Sequence, residues 1–270
     1  MTYGNPEASA YAGLGRETRG LFDLSGRTAV VTGGGAGIGR AVSIGFAWFG
    51  AAVAVLDRDE GAASRVSEEI TANGGRAVAL AVDITDLPAL EGAASHVEAA
   101  LGPVDICFAS AGGGLRRGIF AMTPDEWHQI VELNLAGTWN TARVFGRGMV
   151  ERRGGKFISV ASIHGHVGDP DQSAYASAKS GVVGLTRALA MEWASANVQV
   201  NCVSPSHVKT QRVQSILDDQ AEYDRLRARS PVGRFGEPWE LIGPAVFLAS
   251  DASGFVTGQA LLVDGGWTAT

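Results

Sequence analysis

The chain has 270 residues, 46% of them hydrophobic and 19% charged, and a net charge of −6. That length accommodates one sizeable α/β domain without requiring a second, and the composition excludes a disordered chain. The acidic balance leaves no broad basic surface for a nucleic-acid backbone, so a nucleic-acid partner is not expected.

Residues 1–24 carry Pro6, Glu7, Arg16, Glu17 and Arg19 without a continuous apolar stretch. Neither a signal peptide nor a membrane span is read there, so the expected setting is the cytoplasm, with 1–24 as an extension of a domain at 25–270. Apolar runs then alternate with helix-like stretches: "TAVVT" at 28–32, "AVAVL" at 52–56, "AVALAV" at 77–82 and "VDICFA" at 104–109. Runs this apolar are strands covered on both faces. Between them, Asp59 to Asn73 and Asp86 to Leu101 put charges on one side and alanines on the other, as helices do. The second half predicts one long helix from about Thr123 to Arg152, a strand in "KFISVA", a helix from about Ser173 to Ala196, and a strand in "VQVNCV". A last strand lies in "GQALLVDGG". Repeated strand–helix–strand units predict an α/β fold with a parallel sheet, and ligands in such sheets bind beyond the carboxyl ends of the strands. Cys107 and Cys202 fall in strand-like runs and read as buried free thiols, and no metal is expected.

"VVTGGGAGIGR" sets Gly33, Gly35, Gly37 and Gly39 between the first strand and a helix starting near Gly37. Glycines there let the backbone approach a pyrophosphate at the positive end of the helix. Asp57 ends the second strand, where its carboxylate would accept hydrogen bonds from an adenosine ribose and repel a 2′-phosphate. NAD is therefore expected over NADP, with Arg58 as the counter-argument, since an arginine there can hold a 2′-phosphate. Asp83, ending the third strand, is placed to meet the adenine edge, and Thr85 stands closer to the next helix as its cap.

Tyr175 and Lys179 stand four apart in a helical stretch and project from one face. A tyrosine with a pKa near 10 is a poor base at neutral pH, but a nearby ammonium and a cationic nicotinamide favour the phenolate. "TGGGAGIG", Asn134 in "NL", Ser162, "YASAK" and "NCVSP" follow one another in the order and spacing of the short-chain dehydrogenase/reductase family, which the chain resembles from about Leu24 to Gly266. The resemblance implies a single Rossmann-type doubly wound domain with about seven parallel strands flanked by helices. It implies Tyr175 as general acid/base, Lys179 lowering its pKa and binding the nicotinamide ribose, Ser162 polarising the substrate oxygen, and Asn134 positioning Lys179 and a relay water. Further cofactor contacts are implied at Ile38, Ile84, Ser110, Ala111, Gly112, Pro205, Val208 and Thr210, and the C-terminal portion resembles one that builds a homotetramer. Two departures stand out. Ser110 replaces an asparagine that ties strands together, and Ser206 and His207 follow Pro205 where the family has glycine.

The expected reaction is hydride transfer between NAD and a secondary alcohol, hemiacetal or ketone. The segments expected around the substrate, including a loop at about 205–236, carry Arg116, Arg117, His164, His166, His207, Lys209 and Arg212, with Ser162 among them. Polar loops meet water in any protein, but this basic excess in an acidic chain also suits an anionic substrate such as a sugar acid or sulfonated sugar. "LAMEWA" and "VDGGWTA" resemble the family's polyol and gluconate dehydrogenases. The alternatives are an NADPH-dependent reductase of 3-oxoacyl or other ketones and a non-catalytic nucleotide sensor. A serine hydrolase is disfavoured because no G-x-S-x-G occurs. A dehalogenase is disfavoured because Lys179 and the nucleotide glycines are kept.

Overall fold

The computed structural model describes residues 20–269, and residues 1–19 of the expected extension lie outside the described residues. Residues 20–24 lead straight into the fold, since Leu24 is fully buried and its N–H donates to the Phe49 carbonyl at 2.8 Å. Seven strands, Thr28–Thr32 (β1), Ala52–Asp57 (β2), Arg76–Ala81 (β3), Val104–Ala109 (β4), Gly155–Val160 (β5), Val198–Pro205 (β6) and Ala260–Val263 (β7), form one sheet in the order β3-β2-β1-β4-β5-β6-β7. Every neighbouring pair is parallel. The winding reverses between β1 and β4, which opens a crevice at their carboxyl ends.

Alternation along the strands feeds two cores. Ala29 and Val31 of β1 face one layer with Val42 and Phe46 of helix Gly37–Trp48 (α1), Val66 and Ile70 of helix Glu60–Ala72 (α2), and the C-terminal helix Ile242–Ala249 (α9). Val30 faces the other layer, with helices Leu87–Leu101 (α3), Gly137–Arg152 (α5) and Ser173–Trp193 (α6). Phe46 meets Phe108 edge-on at 6.0 Å on one side, and Phe157 meets Trp193 at 6.0 Å on the other. Each buried aromatic of this kind contributes about 1.5–3 kcal/mol. Cys107 and Cys202 are buried free thiols. Among the described residues no helix is long and apolar enough to cross a membrane.

Two expectations need correction. The single helix expected from about Thr123 to Arg152 is three pieces: Pro124–Val131 (α4), a π-helical turn Glu132–Ala136, and α5. The interruption falls at Asn134, whose side-chain amide donates to the Ile130 carbonyl four residues back at 2.9 Å and competes with the backbone ladder. The cap of α3 is Asp86, accepting from Ala89 N–H at 3.0 Å, whereas Thr85 is held by Asp83.

Fully buried Asn201 of β6 fastens the last strand to the sheet. Its amide donates to the Val256 carbonyl at 2.8 Å, and its oxygen accepts from Gln259 N–H at 3.0 Å. Asn201→Ala leaves both backbone groups unpaired in the interior. The expected loss is about 2 kcal/mol, seen as a melting temperature lower by roughly 4–8 °C; a melting curve superimposable on wild type contradicts this anchor.

Candidate active site

The β1–α1 connection is shaped by what cannot fit there. Gly33 has φ +65°, and a Cβ on it would come within 2.8 Å of the Ala111 Cα. A Cβ on Gly39 would run into the Gly33 carbonyl oxygen. The cap of α1 is Ala36, with no side-chain hydrogen bond and no acidic residue in the first turn, so the helix's opening N–H groups are left for an anion. These features fit the pyrophosphate of a dinucleotide. Asp57 is fixed beside the loop, its Oδ2 accepting from Gly35 N–H at 3.0 Å and its Oδ1 from Asp59 N–H at 3.1 Å. Thr210 reaches the same place from β6, since a Cβ on Gly37 would lie 3.1 Å from its methyl group.

The other residues expected at the cofactor distribute as follows. The tie between β1 and the loop after β4 runs through the backbone, with Ser110 N–H donating to the Thr32 carbonyl at 3.2 Å and Ala111 N–H to the Thr32 hydroxyl at 3.4 Å. Gly112 sits against the catalytic set, a Cβ there falling 2.8 Å from Asn134 Oδ1 and 3.5 Å from Lys179 Nζ. Ile84 is buried, and its carbonyl accepts from Asn140 at 3.0 Å. Ile38 is half-buried against the first core, and Arg58 is exposed. Exposed Asp83 spends one oxygen on Thr85, which lowers its pKa, and leaves the other unclaimed. Pro205 ends β6, and Val208 bridges to Gly236. Ser206 donates to the Asp264 carbonyl at 3.1 Å, so the loop that departs from the family pattern is tied down.

Asn134, Ser162, Tyr175 and Lys179 are all buried. One turn of α6 separates Tyr175 from Lys179, and the Lys179 Nζ lies 5.6 Å from the Tyr175 ring centre while donating to the Val160 carbonyl at 2.7 Å. Ser162 follows β5 in extended conformation, accepts from His164 N–H at 3.2 Å and is near enough to Tyr175 to contribute to its lowered pKa. Asn134 donates to the Gly113 carbonyl at 2.9 Å and accepts from its N–H at 3.3 Å, which locks the loop beside Lys179. Burial alone would raise the Tyr175 pKa, but Lys179, then Arg212, then Ser162 outweigh it and hold the phenol below its ordinary value. Burial also lowers the Lys179 pKa, partly offset by the attraction of Tyr175.

The residues expected at the substrate separate into two groups. Arg117 pairs with Glu126 at 2.6 Å, Lys209 with Glu237 at 2.6 Å, and His166 bonds the Ser204 hydroxyl at 2.9 Å, so these three are engaged in holding the fold. His164 and Arg212 stand at Tyr175, the His164 ring 5.9 Å and the Arg212 guanidinium 4.7 Å from the tyrosine ring, with His207 behind His164 at 6.5 Å. Burial is the main cause of lowered pKa in both histidines, down to about 4 for His207, so both are neutral at pH 7. Sequence reasoning missed Asp169, a buried carboxylate 3.2 Å from Arg116, 3.1 Å from Arg229 and 3.8 Å from His164. It also missed Phe235 and Trp267, whose rings lie 4.9 and 5.1 Å from that of His207. Arg229 is far from the motifs in sequence and no local pattern marks it, while Trp267 lies in "VDGGWTA", whose resemblance carries no information about its contact with His207.

In this geometry Tyr175 can exchange a proton with an oxygen placed between it and Ser162, and Lys179 is positioned to stabilise a phenolate. A bound nicotinamide supplies or receives the hydride. Oxidation of an alcohol needs the phenolate, so its rate rises with pH as Tyr175 ionises and levels off above that pKa. Lys179→Met removes the main stabilising cation. Its kcat/KM should fall by about 10²-fold or more, and the rise should move to higher pH; a pH profile left in place contradicts the assigned role.

Three comparisons converge on this arrangement. The family model described as enoyl-(acyl carrier protein) reductase matches residues 33–268. The chain is 38% identical to galactitol 2-dehydrogenase (L-tagatose-forming) of Cereibacter sphaeroides over 93% of its own length and 98% of the relative's. A putative NAD(P)-dependent gluconate 5-dehydrogenase from Beutenbergia cavernae, solved with NADP at low occupancy, is 41% identical with a TM-score of 0.89 over 93% of this chain and 100% of that one. A gluconate 5-dehydrogenase from Burkholderia cenocepacia, solved with NADP and tartrate, is 37% identical with a TM-score of 0.90 over 93% and 98%. With the glycine loop, Ser162, Tyr175 and Lys179 all in place, the chain belongs to the short-chain dehydrogenase/reductase family and is an NAD(P)-dependent oxidoreductase acting on CH–OH groups.

Proposed function

We propose that the protein interconverts a secondary hydroxyl and a carbonyl on a sugar acid, or on a related polyol, with NAD as the preferred cofactor. One observation carries the substrate class. The Arg212 guanidinium lies 4.7 Å over the Tyr175 ring and the His164 ring 5.9 Å from it, so polar groups stand directly beside the phenol. Polar and charged groups at that position suit a polyhydroxylated acid better than an acyl chain, which would leave them without partners. The names of the galactitol and gluconate dehydrogenases among the relatives support the same class.

Asp57 supports the choice of NAD. Its carboxylate is anchored at the rim of the nucleotide crevice, where a second negative charge on the ribose would be repelled. Two solved relatives hold NADP, so this preference is a point on which the chain is proposed to differ from them. Exposed Trp139, Met191 and Phe255 suit burial between subunits, consistent with a homo-oligomer, for which a tetramer is proposed.

The test is a panel of aldonic acids, alditols and 3-oxoacyl thioesters assayed with both nucleotides. Sugar acids or alditols with NAD should have the highest kcat/KM, and Asp57→Ser should shift the NAD/NADP ratio toward NADP by about tenfold or more. Efficient NADPH-dependent reduction of 3-oxoacyl thioesters with no turnover of the sugars would overturn the proposal.

A further inference from the structure

Several cations around the active site are engaged by carboxylates. Asp169 lies between Arg116 and Arg229, Glu126 takes Arg117, and Glu237 takes Lys209. Arg212 has no acidic partner among the described residues. It stands in the short 3-10 turn Gln211–Val213 that follows β6, with its guanidinium carbon 4.7 Å over the Tyr175 ring and Nη1 3.5 Å from the Tyr175 hydroxyl. Its Nη2 lies so close to Gly114 that any Cβ there would collide with it. The fork therefore spans from the Tyr175 phenol to Gly114 in the loop after β4.

That placement sets two cations, Lys179 and Arg212, against the same phenol. Each disfavours the other, and Arg212 contributes to the lowered pKa of Lys179. The arrangement is relieved by an anion between Arg212 and the reacting centre. A planar guanidinium with a free edge suits a carboxylate, which it can meet with two parallel hydrogen bonds.

We propose that Arg212 is the residue that selects an acidic substrate: its guanidinium binds the substrate's carboxylate beside Tyr175 while the reacting oxygen lies between Tyr175 and Ser162. This rests on the sugar-acid reading above. His164 stands beside Tyr175 on the same wall, and Arg116 and Arg229, which share Asp169, serve as a frame for the loops.

The experiment compares D-gluconate with D-glucitol, which share a carbon skeleton and differ in the acidic group, using wild-type enzyme, Arg212→Met and Arg212→Lys at saturating NAD. Loss of Arg212 also weakens support for the phenolate, but that effect is common to both substrates and cancels in the ratio of their kcat/KM values. Arg212→Met should lower the gluconate/glucitol ratio by about 30-fold or more, and Arg212→Lys by roughly tenfold or less. Melting temperature and NAD affinity should match wild type. An unchanged ratio overturns the assignment, as does a loss confined to the KM for NAD, which would place Arg212 at a cofactor phosphate. Turnover of glucitol but not gluconate by the wild type overturns Arg212's role and leaves the polyol reading standing. Turnover of neither, with an acyl ketone reduced instead, overturns both.

Discussion

The active site depends on one unfavourable burial that the fold makes tolerable: an ammonium taken out of water beside a phenol. Lys179 is 3% exposed and Tyr175 7%. A lysine so placed tends to lose its proton, and the site functions only if the ammonium is kept. The Val160 carbonyl at the end of β5, the attraction of Tyr175 and the glycine-lined loop at Gly112 keep it in place. The π turn at Asn134 follows from the same demand, because it points an amide at the Gly113 backbone and closes that loop over the lysine. In a regular helix the same side chain would be aimed elsewhere along the turn.

Around that pair the charges are sorted rather than pooled. A buried carboxylate, Asp169, takes up two arginines from loops more than a hundred residues apart in sequence and so fixes the loops after β4, β5 and β6 relative to one another. Burial lowers the pKa of two imidazoles, and among the described residues Arg212 stands at the phenol without a carboxylate partner. The wall is therefore a mixture of imidazoles with lowered pKa and guanidiniums held to different degrees by carboxylates, a more selective surface than the count of basic residues implies.

The parts legible in the sequence are those set by short-range rules. The β1 strand, the glycine turn and Asp57 can be read because backbone geometry and strand periodicity act within a few residues, and Tyr175 and Lys179 because helical spacing puts them on one face. The π turn is not legible, since it arises from a side chain competing with its own helix, and the segment's apolar pattern is otherwise continuous. Asp169 was within a segment expected at the substrate, but its partners Arg116 and Arg229 come from other loops, so its function appears only in three dimensions. For the same reason Arg117, Lys209 and His166 looked equivalent to Arg212 until their partners Glu126, Glu237 and Ser204 were in place.

The central claim is that the Tyr175 phenol is the proton donor and acceptor for hydride transfer at this site. The most direct measurement is NADH formation by Tyr175→Phe beside its NAD affinity, since this change removes one oxygen and leaves the glycine loop, Asp57 and Lys179 in place. The account predicts that turnover falls by about 10³-fold or more while NAD binds as in wild type. Turnover within a few-fold of wild type would contradict it and return the protein to the class of nucleotide-binding sensors.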